Sequence, residues 1–382
     1  MSISTGTDYH RVDALLGEPR HPLDARIGQF ADLVDLRKRW SELEATPVLI
    51  ESREQGIDHS WAGIDVRTLL SGEQTAGRFS AHSLVLDAGA GLPPHYHEDA
   101  HAIVLVIAGE IELGVGKLVE RVDQYSLGYV PPRTRLSFHN TTGSPVALTL
   151  VYWPAGAERA FEEAHRHWLA THDGNALSYE AILGRYGFRF DAASLPNDER
   201  TNEEFMAVDL EIQGEGDLEK LREAFQRLPD LPRLVRTRRE EFGAVPPGTT
   251  FRKALLTGDE SCGNAMLNLL SGGPGFNAPP HYQPTEEEFF FIVDGQLEMT
   301  CGTATRLLSP GAFAFCPRNC THGFHNVQES GQARFVTLNS PAGHERAMAA
   351  VRRSSERGAS KQELLDLAAI GGFIFHPHTE AH

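Results

Sequence analysis

Shifting this chain by 186 residues lays one histidine-bearing segment on another. His95-Tyr96-His97 falls on His281-Tyr282-Gln283, Pro93-Pro94 on Pro279-Pro280, and Gly109 on Gly295. Pro131 falls on Pro317, and Phe138-His139-Asn140 falls on Phe324-His325-Asn326. A register held over some 45 residues is a strong constraint: whatever fold one half adopts, the other must adopt as well.

The likeness runs beyond these segments. Leu36-Arg37, Trp40, Pro47, Leu49 and Arg53 match Leu221-Arg222, Phe225, Pro232, Leu234 and Arg238 at an offset of 185. Leu69-Leu70-Ser71-Gly72 matches Leu255-Leu256-Thr257-Gly258. Pro154-Ala155-Gly156 with Glu158-Arg159-Ala160 matches Pro341-Ala342-Gly343 with Glu345-Arg346-Ala347. Gly187-Phe188-Arg189-Phe190 matches Gly372-Phe373-Ile374-Phe375. The period is far too long for a solenoid. At 382 residues the chain suits two duplicated domains, covering roughly 30–190 and 215–376.

Short runs at 103–107, Val146–Trp153, 289–293 and 333–338 are rich in β-branched and aromatic residues, with Gly, Pro and Asn between them. They predict antiparallel strands in a sandwich or barrel. Segments 157–185 and 343–370 have helical spacing. Segment 216–242 reads as a charged helix broken by Pro229 and Pro232, and 191–215 as a polar linker.

The net charge of −17, without a basic stripe, argues against nucleic acid and anionic membrane surfaces as partners. No run of 18 uncharged apolar residues predicts a membrane span, and the first residues lack the apolar stretch of a signal peptide. Cys262, Cys301, Cys316 and Cys320 form no CxxC pair and read as reduced thiols of a cytoplasmic protein.

Residues two apart in a strand share a face. His281 and Gln283 can therefore point together into a barrel, and the break at Pro284-Thr285 lets Glu288 return to that face. The strand after Pro317 brings in His322. Two imidazoles, an amide and a carboxylate thus converge at one end.

HYQPTEEE, FFFIVDG and PRNCTHGFHN resemble the two cupin motifs, H-x-H-x4-E-x6-G and P-x-G-x2-H-x3-N, with Gln283 for the second histidine and Asn319 for the glycine. HYHEDAHAIVLVIAG and PPRTRLSFHN fit the same frame in the first copy. The chain resembles bicupins, especially the quercetin-dioxygenase-like and related ring-cleaving metal oxygenases. The resemblance implies a mainly β fold of two tandem double-stranded β-helix (jelly-roll) barrels with flanking helices. It divides the chain into an N-terminal arm and helix over 1–60, a first barrel over 61–156, a helical segment and linker over 157–240, a second barrel over 241–342, and C-terminal helices and tail over 343–382. It also implies packed barrels and a homodimer.

The departures from the motif decide where a metal is expected. The second copy keeps His281, Glu288 and His322, the composition of a 2-His-1-carboxylate triad that leaves positions open for oxygen and substrate. Gln283 is either a neutral oxygen ligand or a residue that orients what the metal holds. Fe(II) is the first expectation, with Mn, Ni and Zn as alternatives. In the first copy Ala102 stands at the glutamate position and Leu136 at the histidine position. His95 and His97 alone make a poor site; either that barrel is retained for packing, or His82 or substrate completes a second site. Phe276, Phe289, Phe290, Phe291 and Phe324 suit an aromatic pocket, and Arg252 is a candidate for an acidic substrate group. His376, His378 and His382 read as a loose end.

The expected activity is oxygenation by O2 of an enolisable aromatic or polyketide-like small molecule, with Glu288 also available as a base. The alternatives are a non-redox metal lyase, isomerase or cyclase, and a non-catalytic small-molecule binder.

Overall fold

A computed structural model describes residues 27–190, 195, 206–237 and 243–375. Most of the expected linker over 191–215, Arg238, and the tail with His376, His378 and His382 lie outside the described residues. The described chain divides into two compact units, one of residues 27–190 with 232–237 and the other of 206–231 with 243–375.

The first unit opens with α1 (Phe30–Trp40), whose Leu33, Leu36 and Trp40 recur at helical spacing and are buried. Its strands are β1 (Val48–Ile50), β2 (Ile57–Asp58), β3 (Ile64–Leu70), β4 (Ser80–Leu86), β5 (Gly91–His97), β6 (His101–Ala108), β7 (Ile111–Val115), β8 (Leu118–Val122), β9 (Leu127–Val130), β10 (Leu136–His139) and β11 (Val146–Trp153). Helices α2 (Ala157–Thr171) and α3 (Ala176–Gly184) and strand β12 (Phe188–Arg189) come next. One sheet runs β13-β9-β6-β11-β4-β3-β2, where β13 is Arg233–Val235, and the other runs β12-β5-β10-β7-β8. From β4 to β11 the chain keeps switching between the two sheets, as in a jelly roll. The stretch expected as helix and linker over 157–240 therefore contributes to this barrel: α2 buries Ala160, Phe161 and Ala164 in its core, and Arg233 of β13 pairs with Tyr129.

The second unit repeats the plan. It contains α4 (Asp217–Phe225), β14 (Thr250–Leu256), β15 (Met266–Gly272), β16 (Asn277–Tyr282), β17 (Glu287–Asp294), β18 (Leu297–Cys301), β19 (Ala304–Leu308), β20 (Phe313–Cys316), β21 (His322–His325) and β22 (Ala333–Ser340). Then come α5 (His344–Glu356), α6 (Lys361–Ile370) and β23 (Ile374–Phe375). One sheet contains β20-β17-β22-β15-β14 in that order and the other β19-β18-β21-β16-β23. The helix expected over 216–242 stops at Phe225. The apolar run of β17 is buried along nearly its whole length, as a strand central in a sheet should be. Leu297, Met299 and Cys301 of β18 alternate with half-buried polar residues, which fixes which face looks inward. Among the described residues no helix is long and apolar enough to cross a membrane.

The residues that recur between the copies outside the motifs are those that fasten helices to barrels. Glu158 accepts hydrogen bonds from the backbone N–H groups of Gly72 (2.8 Å) and Gly156 (2.9 Å); Glu345 does the same for Gly258 (2.7 Å) and Gly343 (3.0 Å). Trp40 packs so closely over Gly72 that a Cβ there would lie 2.5 Å from its ring, and Phe225 over Gly258 leaves 2.4 Å. Each glycine is needed for that approach. Gly258→Ala is expected to destabilise the fold by about 1–3 kcal/mol through overpacking against Phe225. A urea titration reads it, and an unchanged midpoint would show that the aromatic ring is not fixed there.

Candidate metal centre

His281 and His322 are directly opposite each other in the β16–β21 pair, so both side chains leave the same face of one sheet. Their rings lie 4.4 Å apart between centroids. Glu288 comes from β17 in the other sheet. One ligand atom from each of His281, Glu288 and His322 falls within 4.8 Å of the others, and all three residues are buried. Gln283, immediately after β16, donates from Nε2 to Glu288 Oε2 at 2.9 Å. The four residues expected at this end of the barrel are thus brought together, the amide by way of the carboxylate.

The histidines are prepared as ligands by their own backbone. His281 Nδ1 lies 2.8 Å from the Pro279 carbonyl, and His322 Nδ1 lies 2.9 Å from the Cys320 carbonyl. A carbonyl only accepts, so both Nδ1 atoms carry hydrogen and both Nε2 atoms face the site. Burial, reinforced by the neighbouring His322, pushes His281 down to about 4, which keeps it neutral. His322 Nε2 lies 3.0 Å from Glu288 Oε2. Burial opposes a charge on His322, but the hydrogen bond and charge of Glu288 win and raise its pKa. Burial likewise opposes a charge on Glu288, and His322 holds its carboxyl well below the usual range. A proton therefore sits between Nε2 and the carboxylate where a cation would bind, and a cation binding there replaces it. The donor set, two Nε2 lone pairs and a carboxylate in one buried cluster, fits a first-row divalent metal.

Arg222, one of the recurring residues, holds the bend that brings Glu288 back. It donates to the Ala342 carbonyl at 3.0 Å, to Thr285 Oγ1 at 2.9 Å and to Glu286 at 2.5 Å. Glu286 is 1% exposed at its side chain, and burial pushes its carboxyl up to about 8 against the pull of Arg222. Arg37 makes the matching contacts in the first unit, to Ala155 (2.5 Å) and Asp99 (2.7 Å). Sequence reasoning had the signal, the recurrence of Leu-Arg in both copies, but assigned it no role.

Phe290 and Phe324 pack behind the ligands with ring centroids 5.8 Å apart, and Phe335 lies 5.1 Å from Phe324. Phe290 is fully buried, so it forms the floor beneath the site. Arg252, on β14, is exposed as a residue, but burial lowers the pKa of its guanidinium and the charges of Glu345 and Glu288 act on it. Cys301 lies opposite His322 and Cys316 opposite Glu288; their sulfurs are 3.2 Å apart, with Cys320 Sγ 3.4 Å from Cys301. All are free thiols, and burial pushes Cys316 up to about 11, which suits inert packing.

In the first barrel Leu136 pairs with His95 where the second has His322 opposite His281. His95 Nδ1 makes the same contact, 2.8 Å to the Pro93 carbonyl. His95 and His97 are buried and held neutral by that burial, with Phe188 at 5.6 and 4.4 Å from their rings. His82 does not extend a donor to them: its Nδ1 lies 3.1 Å from Thr68 Oγ1 and its Nε2 3.1 Å from Ser80 Oγ. Hydroxyls of β3 and β4 thus engage both nitrogens of His82. His101 stacks on Trp153 at 4.9 Å, and His139 is exposed, 2.9 Å from the Gly89 carbonyl.

Two sheets closed into a barrel, twice over, with a metal-competent cluster inside the second, define a duplicated barrel protein. The cupin-domain family model matches residues 82–152 and 270–339, and the chain is a bicupin. It is 26% identical over 306 residues to a quercetin 2,3-dioxygenase of Bacillus subtilis, which covers 74% of this chain and 79% of that protein. Among solved structures it resembles an oxalate decarboxylase formate complex of Lactobacillus farciminis, at 12% identity and TM-score 0.47, over 82% of this chain and 94% of that one. It also resembles procruciferin, an 11S globulin of Brassica napus, at 8% identity and TM-score 0.49, over 86% and 95%.

Removing Arg222 strands Glu286 in the interior. Arg222→Leu is expected to cost about 2–4 kcal/mol of stability and to loosen metal binding by freeing the 284–286 bend. Denaturant titration and metal analysis of the same sample check both; unchanged stability would mean that Glu286 finds another partner.

Proposed function

We propose that this bicupin is a metal-dependent oxygenase whose single principal centre lies in the second barrel, with His281, Glu288 and His322 as ligands of Fe(II) and an enolisable, ring-bearing small molecule as substrate. The observation that carries the reading is the convergence of two site-facing Nε2 atoms and one carboxylate within 4.8 Å. The similarity to a quercetin 2,3-dioxygenase supports the oxygenase class. The bound metal supplies a Lewis acid and a redox centre for O2 chemistry.

The rest of the work falls to the chain. Gln283 holds Glu288 Oε2 at 2.9 Å, which leaves Oε1 to accept the proton of an enol hydroxyl. His322 beside it keeps the carboxyl ionised, so Oε1 is an acceptor. Phe290, Phe324 and Phe335 keep water from the floor of the site and offer an apolar surface to a ring. The Nδ1 contacts to Pro279 and Cys320 keep both imidazoles from rotating.

Purified protein is expected to hold close to one metal ion per chain. His281→Ala or His322→Ala should abolish it, and His95→Ala should leave most of it. Full retention in the double variant His281→Ala, His322→Ala refutes the site. Oxygen uptake coupled to loss of an enolisable aromatic, present in air and absent under anaerobic conditions, is the expected activity; turnover without oxygen uptake refutes the oxygenase. Gln283→His should tighten metal binding, since imidazole is the better donor, and lower activity by filling a position that substrate needs. Unchanged affinity in that variant would mean that the side chain at 283 does not reach the metal.

A further inference from the structure

A cavity of about 170 Å³ opens in the first unit between α3, the start of β5 and the turn that precedes β3. Trp61, Leu92, Leu183 and Phe190 give it apolar walls, and Tyr179 and Glu180 come from successive positions of α3. None of these residues belongs to the proposed metal centre.

The aromatic wall is fixed before any ligand arrives. Trp61 and Ile64 exchange backbone hydrogen bonds of 2.9 and 2.8 Å across a tight turn, with Ala62 and Gly63 at positive φ. The Trp61 ring lies 5.5 Å from Phe161 of α2 and stacks on Tyr179 at 6.1 Å and 24°. The Tyr179 hydroxyl donates to the Asp173 carbonyl at 2.8 Å. Rings held this way lose little freedom when something binds against them. Glu180 is the acid of the lining. It is half-buried, and its carboxylate makes no hydrogen bond or ion pair among the described residues.

The architecture does not demand this set. At offsets of 186 and 185, Pro247 stands in the second copy at the place of Trp61, Leu364 at that of Tyr179 and Leu365 at that of Glu180. Yet β3, β5 and α3 keep their counterparts β14, β16 and α6. Size and charge then select the occupant. A cavity of about 150 Å³ holds one benzene ring, so this one holds a single ring with a short arm. Indole and phenol faces attract both rings and cations. A carboxylate without a partner at an apolar wall complements an ammonium group. The net charge of −17 favours a cation over an anion.

We propose that this cavity is a second small-molecule site, separate from the metal centre, and that it takes a one-ring aromatic amine. The ring lies against Trp61 and Tyr179, and the ammonium group donates to Glu180.

The test is calorimetry on the full chain with phenethylamine, 2-phenylethanol and phenylacetate, which share a ring and a short arm and differ in charge. The wild type is expected to bind the amine about tenfold more tightly than the alcohol, and phenylacetate not at all. Glu180→Gln should remove the preference for the amine and leave the alcohol unchanged, and Glu180→Arg should move the preference to phenylacetate. Tyr179→Leu, which installs the residue of the second copy, should weaken amine and alcohol alike, by about fivefold, because the stacked face is gone. Equal affinity of the wild type for amine and alcohol overturns the proposal, as does a preference for the amine that survives Glu180→Gln, or a wild type that binds none of the three. Glu180 is partly exposed and unpaired, so its variants keep the fold, and the comparison does not depend on the folding of Tyr179→Leu. The titrations are repeated on metal-free chain, where the preference for the amine should be unchanged. A preference lost with the metal would place the amine at the metal centre and overturn the proposal.

Discussion

A carboxylate inside a barrel has to be compensated, and the second unit is arranged around that requirement. Glu288 is 5% exposed, and an uncompensated charge at such a place would cost several kcal/mol. Gln283 and His322 both reach its Oε2. Getting them there needs β16 and β21 paired so that His281 faces His322, and it needs the bend after Gln283 to return the chain to the opposite sheet. Arg222 fixes that bend from α4 by its bonds to Thr285, Glu286 and Ala342. The helix that looks peripheral in the sequence is thus part of the geometry of the centre.

In the first barrel the carboxylate is absent, and the compensating groups are absent with it. With Ala102 at that position there is no anion to hold an imidazolium, and the partner of His95 across the strands is Leu136. His95 and His97 persist as neutral, buried rings among Phe188, Phe190 and Tyr152. The barrel itself is intact, because Trp40 over Gly72 and the Glu158 bonds to Gly72 and Gly156 involve none of the site residues. Fold and centre are separable here, which is why a motif can decay while its architecture does not.

The fold was legible because duplication marks every position that the architecture needs twice. Gly72 and Gly258, Trp40 and Phe225, and Glu158 and Glu345 all recur for contacts now visible. The ligand cluster was legible because strand parity and the Pro284 break determine which side chains face inward. Other parts were not. The apolar pattern at 333–338 ends one residue short of Asn339, so it does not show the inward register continuing through Phe335, Thr337 and Asn339. Arg222 acts over 64 residues on Glu286 and 120 on Ala342, and no local pattern reveals such a contact. His82 has the right residue type on an inward-facing strand, but whether Thr68 and Ser80 saturate a ring depends on registers that sequence does not give.

The inward row of β22 and its neighbours separates the two copies in energetic terms. In the second barrel that row carries Asn268, Thr337, Asn339 and Glu288; at the same positions the first carries His82, Leu150, Tyr152 and Ala102. Buried amides and a carboxylate reduce the stability that the same strands would have with apolar side chains. Part of that loss is recovered internally, as where Asn268 Nδ2 meets Met266 Sδ at 2.8 Å and Gln283 meets Glu288. Part is not, at Asn339 and at His344 Nδ1. The first copy also leaves buried groups unmet, at His95 Nε2, His97 Nε2 and the Tyr152 hydroxyl, so unmet polarity alone does not mark a binding barrel. What sets the second barrel apart is the carboxylate between two imidazoles, since unmet buried groups occur in both copies.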